Sequence, residues 1–547
     1  MRAVSVDPAL FFMSKPQLHH LLLKAEKAKK VRNFAECKRL CEAVLRINKD
    51  EMNAVEILAL CALETQHFAE AFDAARKLTD AEPMNVNGAM IASVALMNTG
   101  QDELAVHVLE DQISRTPDVP GLFFNLHSSY ASLGLNQKAL EIAMKAIQLV
   151  PTNADAYNNL GASLHACARQ SDAVIAFQTA VDLDPKHYTA RLNLANAISG
   201  NDAKIIEEIE YVVREGKGTI SERALVGALH NTAFPYLRLG NLEKGWERLE
   251  HGFSPLIDSN RGRRPQRTFK QPRWTGQPLK GKTLLVWREQ GLGDEIMFAS
   301  MLDELRNLDG KVILECEPRL VSMFQRSFPE FEVRSELYRA IFPFDSPNKD
   351  FDFQIPIGSL AGLYRNKIED FGRSKPYWMP DPDKKAEYAK RLEEACGGKK
   401  RVGLCWRSAV VSPTRSTSYT MLSDWEALFQ RDDVCVVNLQ YGPCEEELQE
   451  IEQQLGCKII RWADTDMQTD LEAVAAIIAN LDVVCSVGTA VAQISGAVGA
   501  KTLLCADSYN WTSFGTTGYP FQPSIELIVG EVKGSMKSSV DKTIEKF

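Results

Sequence analysis

Two glycine-containing segments carry residue types that could do chemistry, and the first is Gln290–Asp294. It follows the apolar run Thr283–Trp287 and precedes a helical pattern, an order typical of an α/β unit. Gly291 and Gly293 would let a substrate approach backbone amides at a helix start. Asp294 could then act as a general base, although capping a helix is the commoner role of Asp there. The third glycine of a dinucleotide fingerprint is missing, so a nicotinamide site is not expected.

The second segment is Gly488, Thr489 and Ala490, which follow the apolar run Val483–Val487. A helix rich in small residues comes next. The Thr489 hydroxyl and the first amides of that helix could hold a phosphate or diphosphate in the positive field of the helix end. This segment is therefore a predicted phosphate-binding loop.

Further polar residues fall at or after predicted strand ends in the same half of the chain. They are Arg407, Ser408, Arg415, Gln440, Tyr441 and Asp470. An arginine at the carboxyl edge of a parallel strand is well placed to neutralise a phosphate, although a structural salt bridge is an open alternative. The other side chains are interpreted as nucleoside contacts, with ordinary loop roles as their alternative.

The first half of the chain carries a repeat of 34 residues. Pro83, Pro117, Pro151 and Pro185 keep this spacing without error, and Lys49 occupies the slot one period earlier. A 34-residue period with small residues at one slot is typical of tetratricopeptide helix pairs, which must stack to bury their apolar faces. We expect about six such units and a concave surface for a partner.

A second ladder lies within the repeat, because Asn125, Asn159 and Asn193 are also 34 residues apart. Equivalent slots of a stacked solenoid face the same way, so three carboxamides would line the inner wall and could bind a peptide backbone. The alternative is that each asparagine only caps or solvates its helix. The sequence thus predicts a candidate acceptor-protein surface.

The pattern of elements predicts an α solenoid followed by two α/β domains that face each other across a cleft. We place the solenoid with a capping hairpin at residues 1–253 and a Pro- and Arg-rich linker at 254–280. A first Rossmann-like domain is expected at 281–382 and a second at 383–547.

Composition limits the functional classes. The 547 residues are 45% hydrophobic, enough for several cores, and the net charge of −9 argues against a nucleic-acid binder. No apolar run of membrane-spanning length and no signal peptide are recognised, so a cytoplasmic protein without membrane insertion is expected. The twelve cysteines are interpreted as buried thiols, with neither disulfides nor a zinc site expected.

Four motifs together resemble one family. They are EQGLGDEIMFASML, VGLCWRS, NLQYG and DVVCSVGTAVAQISGAVGA. They look like tetratricopeptide-linked bacterial glycosyltransferases of the GT-B fold, which has two Rossmann-like domains and is related to heptosyltransferases and O-linked N-acetylglucosamine transferases. The segment RSAVVSPTRSTSY, with VCVVNLQYGPCEEEL, most resembles the branch that modifies flagellin with nonulosonic acids. The three ladder asparagines resemble the ladder of O-linked N-acetylglucosamine transferases.

The resemblance also assigns roles. It makes residues 281–382 the acceptor-side domain and residues 383–547 the nucleotide-sugar domain, with the donor-binding residues Arg407, Ser408, Arg415, Gln440, Tyr441 and Asp470. It puts Asp294 in the place of the catalytic base, and Thr489 and Ala490 in the donor-phosphate loop. The common family pattern there reads Asp-Thr-Ala-x-x-His, whereas this chain has Gly488 in place of the acid and Gln493 in place of the histidine. These departures fit a donor with a single phosphate, such as a cytidine monophosphate sugar, or a catalytically silent domain.

The resemblance implies an inverting, metal-independent protein O-glycosyltransferase. It would move a sugar, such as pseudaminic acid, from a nucleotide sugar to Ser or Thr of a protein, with flagellin as the expected acceptor. No cofactor beyond the nucleotide-sugar co-substrate is expected, and the oligomeric state is left open. Two alternatives stay open: a catalytically degenerate scaffold, and a heptosyltransferase-like enzyme acting on a non-protein acceptor.

Overall fold

The structure is a computed structural model that describes residues 15–257, 262–336, 344–345, 350–408, 418–532 and 535–547. The chain divides into two compact units. The first comprises Met1–Gly200 and Glu210–Lys217, and the second comprises Asn201–Ile209 and Gly218–Phe547. Among the described helices, none is long and apolar enough to cross a membrane.

Six successive helix pairs fill the region from residue 15 to residue 215. Their helices are α1 Lys15–Lys30, α2 Phe34–Ile47, α3 Met52–Glu64, α4 Phe68–Ala81, α5 Val86–Asn98, α6 Asp102–Arg115, α7 Pro120–Ser132, α8 Asn136–Leu149, α9 Ala154–Ala166, α10 Gln170–Leu183, α11 Tyr188–Ala197 and α12 Asp202–Glu215. The predicted solenoid of paired helices is thereby confirmed.

The small-residue slot of the repeat is buried in each of four consecutive pairs. Its occupants Ala71, Ala105, Ala139 and Ala173 are at most 1% exposed. Close helix approach explains this, as it does for Gly161, where an added Cβ would lie 2.6 Å from the Phe177 ring. The repeat therefore depends on side-chain volume as well as on hydrophobicity.

The turn between the two helices of a pair uses the left-handed backbone region at a fixed slot. Positive φ angles occur at Arg32 (58°), Gln66 (61°), Gly100 (71°), Gly134 (69°) and Ala168 (59°). These positions are spaced by 34 residues, so the turn geometry repeats even where the residue is not glycine. A Cβ is strained in this region, whereas glycine is not.

The second unit begins with three helices and continues with two separate α/β segments. The helices are α13 Glu222–Asn231, α14 Ala233–Arg238, α15 Leu242–Leu249, α16 Leu292–Phe298, α17 Val321–Ser327, α18 Ala361–Tyr364, α19 Pro382–Cys396, α20 Glu426–Phe429, α21 Glu445–Leu455, α22 Leu471–Ile478, α23 Ala490–Val498 and α24 Met536–Ile544. Short 3-10 helices lie at Glu250–Phe253, Ala299–Leu305, Pro318–Leu320, Ile357–Leu360, Ile368–Arg373, Leu422–Trp425 and Trp511–Ser513.

All strand pairs within the second unit are parallel in the described residues. The strands are β1 Arg267–Thr268, β2 Thr283–Trp287, β3 Lys311–Cys316, β4 Glu332–Ser335, β5 Phe344–Asp345, β6 Phe353–Pro356, β7 Lys400–Cys405, β8 Val434–Asn438, β9 Ile459–Ile460, β10 Val483–Ser486, β11 Thr502–Ala506 and β12 Ile525–Val529. A four-stranded sheet has the order β4-β3-β2-β6, and a six-stranded sheet has the order β12-β11-β10-β7-β8-β9.

In both larger sheets, the strand order reverses beside the strand that comes first in the chain. In the six-stranded sheet, chain order gives 3-2-1-4-5-6, the doubly wound arrangement, with the reversal between β7 and β10. In the four-stranded sheet, the reversal lies between β2 and β6. Each reversal opens a crevice at the carboxyl ends of the strands.

One hydrophobic core extends across the second unit. It includes Trp246 of α15, Phe298 of α16, and Phe514 and Phe521 from the loop before β12. The Trp246 indole N–H also donates to the Arg365 carbonyl oxygen at 2.7 Å. Helices α13–α15 therefore share a core with the parallel sheets.

The cysteine prediction is wrong at one pair. Cys396 at the end of α19 and Cys435 in β8 form a disulfide, with their Cα atoms 5.4 Å apart. The other ten cysteines are free, and Cys405, Cys485 and Cys505 are among the buried ones. The 39-residue separation hides the pair from motif inspection, because only the packing of α19 on the sheet brings its ends together.

Replacement of Ala168 by glycine is expected to stabilise the solenoid. Ala168 is exposed and has a φ of 59°, so glycine relieves strain without losing packing. The gain is about 1 kcal/mol at most, because glycine also raises the entropy of the unfolded chain. Urea unfolding would measure it. The matched Gly134→Ala variant should be less stable than wild type, and a destabilised Ala168→Gly would contradict the strain argument.

Candidate functional site

The crevices of the two parallel sheets border one cavity of about 680 Å³. Gly291–Asp294 after β2, Ser408 after β7 and Gly488–Ala490 after β10 all line it. Ligands of doubly wound sheets bind at such reversals of strand order, and the volume lies in the range of small-molecule sites. The two glycine-containing segments singled out in the sequence thus meet at one place.

Two helix N-termini approach each other in this cavity. Helix α16 begins after Gly291, and α23 begins after Thr489. A Cβ added to Gly293 would lie 3.9 Å from the Ala490 amide nitrogen and 3.5 Å from Gln493 Cγ. The missing side chain therefore leaves room beside amides that have no partner within their own helix. Such amides favour an anion.

Asp294 has two roles that are compatible with each other. Its carboxylate accepts a hydrogen bond from the Gly291 amide at 3.1 Å, which caps α16. The half-buried side chain also lines the cavity. The capping bond uses the carboxylate oxygen Oδ2, and the same side chain borders the cavity.

Thr489 and Gln493 lie on the opposite wall and are largely buried. Thr489 Oγ1 is 3.2 Å from Ser486 Oγ and 3.6 Å from Cys405 Sγ. Gln493 donates through Nε2 to the Tyr519 hydroxyl at 2.9 Å, while its buried Oε1 has no hydrogen-bond partner among the described residues. Gln493 is therefore fixed by a neighbour and does not cap α23.

Several predicted donor-binding residues do not line this cavity. Arg407 donates to Glu447 at 2.5 Å and to the Pro443 carbonyl oxygen at 2.8 Å. Gln440 Oε1 accepts from the amides of Trp406 and Arg407 at 3.2 and 3.0 Å, so it joins the ends of β7 and β8.

Asp470 is also absent from the lining of this cavity. Asp470 accepts from the Ala473 amide at 2.9 Å, which caps α22, and from Lys384 Nζ at 2.5 Å. Arg415 lies outside the described residues. Among the lining residues that the structure describes, the cation is Arg319, which donates to Glu317 at 2.9 Å and to the Gln468 carbonyl oxygen at 2.8 Å.

A second cavity of about 890 Å³ lies at the carboxyl ends of β8 and β9. It shares Tyr441, Met467 and Gln468 with the first cavity, so the two are neighbours along one sheet edge. Its wall includes Trp462, Gln440 and Arg461. Flat aromatic and polar groups of this kind suit a heterocyclic ligand.

Sequence inspection missed Trp462, Arg319, Asn510 and Tyr519, which line the two cavities. Trp462 follows a strand of only two residues, β9, which is too short to recognise from its pattern. Asn510 and Tyr519 lie in the long loop between β11 and β12, where no motif marks them. In the sequence, only their position after a predicted strand points to Asn510 and Tyr519 as site residues.

The ladder asparagines are half-buried on the first helices of their pairs. Asn125 Nδ2 donates to Ser93 Oγ at 3.2 Å, and Asn193 Nδ2 donates to Asn158 Oδ1 at 2.9 Å. Both bonds connect successive first helices of the solenoid. The carboxamides thus link neighbouring pairs, and their remaining polar atoms can still serve a bound chain.

A curated protein matches nearly the whole chain: Protein FlbA of Caulobacter vibrioides is 31% identical over 533 residues, which cover 94% of this chain and 87% of FlbA. The chain belongs to the FlbA family.

The other comparisons concern the helical repeats of this FlbA-family protein. The tetratricopeptide repeat family model matches residues 154–187. Small glutamine-rich tetratricopeptide repeat-containing protein 2 of Mycosarcoma maydis is 29% identical over 91 residues, 17% of this chain and 26% of that protein. A solved tetratricopeptide protein of Thermus thermophilus is 21% identical and covers 33% of this chain and 98% of its own, with a TM-score of 0.29.

A buried charged cluster lies directly behind Asp294 in this FlbA-family protein. Glu295, 1% exposed, lies 2.9 Å from Arg288 Nε and accepts from the Glu317 amide at 2.9 Å. Burial raises the pKa of Glu295 to about 7 despite the attraction of Arg288, and burial likewise raises the pKa of Glu336 to about 7. The cluster joins the carboxyl ends of β2, β3 and β4 to helix α16. The described residues contain no group of three or more ligands arranged for a metal ion.

The raised pKa of Glu295 predicts a pH-dependent stability. Between the ordinary glutamate pKa near 4.5 and about 7, the folded state holds a proton that the unfolded state has lost. The free energy of unfolding therefore falls as pH rises through this window, and Glu295 contributes no further change above it. Glu295→Gln should flatten the decrease of the thermal unfolding midpoint between pH 5 and pH 8.

The exposed carboxylate Glu369 offers a control for this measurement, because Glu369→Gln should leave the slope unchanged. A Glu295→Gln midpoint that followed the wild type at a constant offset would contradict the buried-proton explanation.

Proposed function

We propose that this protein is a GT-B glycosyltransferase that moves a sugar from a nucleotide sugar to a hydroxyl of a protein. The observation that carries the proposal is the single cavity lined by both glycine-containing segments, Gly291–Asp294 and Gly488–Ala490. One segment presents a carboxylate and the other a helix N-terminus. A transferase that needs a base and an anion site requires these two groups on opposite walls of one cleft.

In this proposal, Asp294 accepts the proton of the acceptor hydroxyl as its oxygen attacks the anomeric carbon. The bond between that carbon and the nucleotide phosphate breaks, and the phosphate leaves with the electron pair. The amides at the start of α23 stabilise the departing charge without rearrangement, because they are already oriented. Attack and departure on opposite faces invert the anomeric configuration, and no metal ion is needed.

The second cavity is the proposed position of the nucleoside. Trp462 and Tyr441 offer aromatic surfaces there, and the shared wall at Met467 and Gln468 connects it with the phosphate position. With Arg319 as the cation among the described lining residues of the first cavity, a donor with a single phosphate suits this site better than one with two. A cytidine monophosphate-linked nonulosonic acid, such as pseudaminic acid, meets this condition.

The proposed acceptor is a serine or threonine of a protein that the solenoid captures, with flagellin as the first protein to test. Support comes from the asparagines at equivalent slots of α7, α9 and α11, where half-buried carboxamides can bind an extended backbone. A non-protein acceptor, as in heptosyltransferases, would leave the solenoid as a localising element.

A binding scaffold without catalysis is the second candidate function, and one observation favours it. Arg407 is ion-paired with Glu447, and the Arg319 guanidinium is bound to Glu317 and a backbone carbonyl. Cations committed in this way contribute less to binding a phosphate. Nucleotide binding distinguishes the two functions, since a scaffold would bind the acceptor protein and not the nucleotide.

Asp294→Asn is expected to abolish transfer without unfolding the site. The asparagine oxygen can still accept from the Gly291 amide and cap α16, but it cannot take the proton. The loss of a general base lowers the rate by about 10²- to 10⁴-fold. The measurement is the mass increment on flagellin and the nucleotide released, with cytidine-, uridine-, guanosine- and adenosine-linked sugars tested separately.

The matched control is Asp370→Asn, which alters another capping carboxylate at 2.9 Å from the Lys367 amide and away from both cavities. It should transfer at the wild-type rate. Full activity of Asp294→Asn would remove this residue from the mechanism. Wild-type protein that binds flagellin, yet neither binds a nucleotide nor transfers from any donor, would favour the scaffold.

Conversion of Asn125, Asn159 and Asn193 to alanine is expected to weaken capture of the protein acceptor. Alanine favours the helix, so the change removes carboxamides without breaking secondary structure. The KM for flagellin should rise about tenfold or more, since each lost backbone contact is worth about 1 kcal/mol, while release of nucleotide to water stays unchanged. Asn136→Ala on a second helix provides the control. An unchanged KM would exclude the ladder from acceptor binding.

A further inference from the structure

We infer that Tyr377, Gln522, Gln493 and Tyr519 form a buried hydrogen-bonded relay that fixes α16 relative to α23, which makes them positioning residues. The role in transfer rests on the proposed function, whereas the relay itself is a property of the fold. All four side chains are at most 9% exposed. They lie on three segments of the second unit: the stretch that joins the two sheets, helix α23, and the loop before β12.

One arm of the relay starts at the segment that joins the two sheets. The Tyr377 hydroxyl donates to the Ile296 carbonyl oxygen in α16 at 2.5 Å, and it accepts from Gln522 Nε2 at 2.8 Å. The same Gln522 nitrogen donates to the Gln493 carbonyl oxygen in α23, also at 2.8 Å. This arm therefore runs from the helix that carries Asp294 to the helix that begins at the phosphate loop.

The second arm returns by another route. Gln493 Nε2 donates to the Tyr519 hydroxyl at 2.9 Å, and that hydroxyl donates to Met297 Sδ at 3.3 Å. Ile296 and Met297 are neighbours on α16, so the two arms close a circuit. Each phenol hydroxyl accepts one hydrogen bond from a glutamine Nε2 and donates its proton to an acceptor in α16.

The backbone reinforces the same connection. The amides of Tyr377 and Trp378 both donate to the Ala497 carbonyl oxygen in α23, at 3.0 and 3.1 Å. A Cβ on Gly496 would lie 2.5 Å from the Gln522 side chain, so the glutamine is held against the helix. Burial raises the pKa of Tyr519 to about 12 and that of Tyr377 well above its usual value, so both hydroxyls keep their protons at neutral pH.

The relay has a cost that a purely structural core would avoid. Within the part of the chain that the structure describes, Gln493 Oε1 and Gln522 Oε1 are buried without a hydrogen-bond partner, and such atoms destabilise a fold. Apolar side chains could fill the same space at lower cost. What the polar groups add is direction, because hydrogen bonds fix the angle between α16 and α23 more narrowly than apolar contacts do.

This geometry accounts for Gln493, the residue that departs from the family pattern. Its side-chain Nε2 and its backbone carbonyl oxygen each form a hydrogen bond of the relay, and its side chain lies beside Gly293. The residue thus sets the distance between the two glycine-containing segments. It reaches the reaction only through the helices that it holds.

The relay is tested with Tyr377→Phe, Gln522→Met and the double variant. Tyr377→Phe keeps the ring and removes the hydroxyl, so amide hydrogen exchange in residues 292–298 and 490–494 should quicken about fivefold, the equivalent of one lost hydrogen bond. The kcat of transfer should fall about tenfold or more, because misplaced catalytic groups lower the rate, while the KM for the nucleotide sugar changes less than about twofold. The kcat of the double variant should be only slightly below that of the less active single variant, since both changes interrupt the same arm.

Tyr130→Phe is the matched control, because it removes another buried tyrosine hydroxyl, one that donates to Glu110 in the first unit. It should leave exchange at α16 and α23 unchanged. Exchange that quickens only near residue 377, or additive losses of kcat in the double variant, would overturn the relay. If the wild type shows no transfer, the proposed function fails and the exchange data alone decide for or against the relay.

Discussion

The candidate site depends on the close approach of α16 to α23, which brings two positive helix ends to one cavity. A Cβ on Gly293 would make ordinary van der Waals contact with Gln493 Cγ at 3.5 Å and would occupy the space beside the Ala490 amide nitrogen, 3.9 Å away, so glycine keeps that space open. Like ends repel unless negative charge lies between them. The Asp294 carboxylate, bound to the Gly291 amide, supplies part of that charge. An anionic ligand in the cavity would supply the remaining negative charge.

Much of the fold follows from local sequence rules. The 34-residue period fixes the helix pairs and even the left-handed turn, which Arg32, Gln66 and Ala168 adopt without being glycine. Each glycine-containing segment lies between a strand and a helix, as the order of apolar run, glycine turn and helical pattern predicts: one between β2 and α16, the other between β10 and α23. Local patterns of this kind depend on neighbours within one period.

The direction of individual side chains could not be predicted in the same way. Arg407 and Gln440 lie at strand ends, as expected, yet Arg407 pairs with Glu447 and Gln440 joins two backbone amides. A strand end fixes the position of a residue, whereas its partner is chosen by elements distant in the chain. The same reason hid Cys396 and Cys435, and it hid Tyr377, which is 81 residues from its acceptor in α16.

The charged cluster and the relay hold α16 from two sides. Glu295 attaches the helix to Arg288 and to the amide after β3, whereas Tyr377 and Tyr519 attach it to α23. A helix of seven residues has little stability of its own, so its orientation must come from these partners. Adjacent positions of this helix have different contacts. Asp294 faces the cavity, whereas Glu295, Ile296 and Met297 bond to the surrounding segments. A short, firmly attached helix can hold a carboxylate at a defined distance from the Gly488–Ala490 segment, which a longer and freer segment could not do.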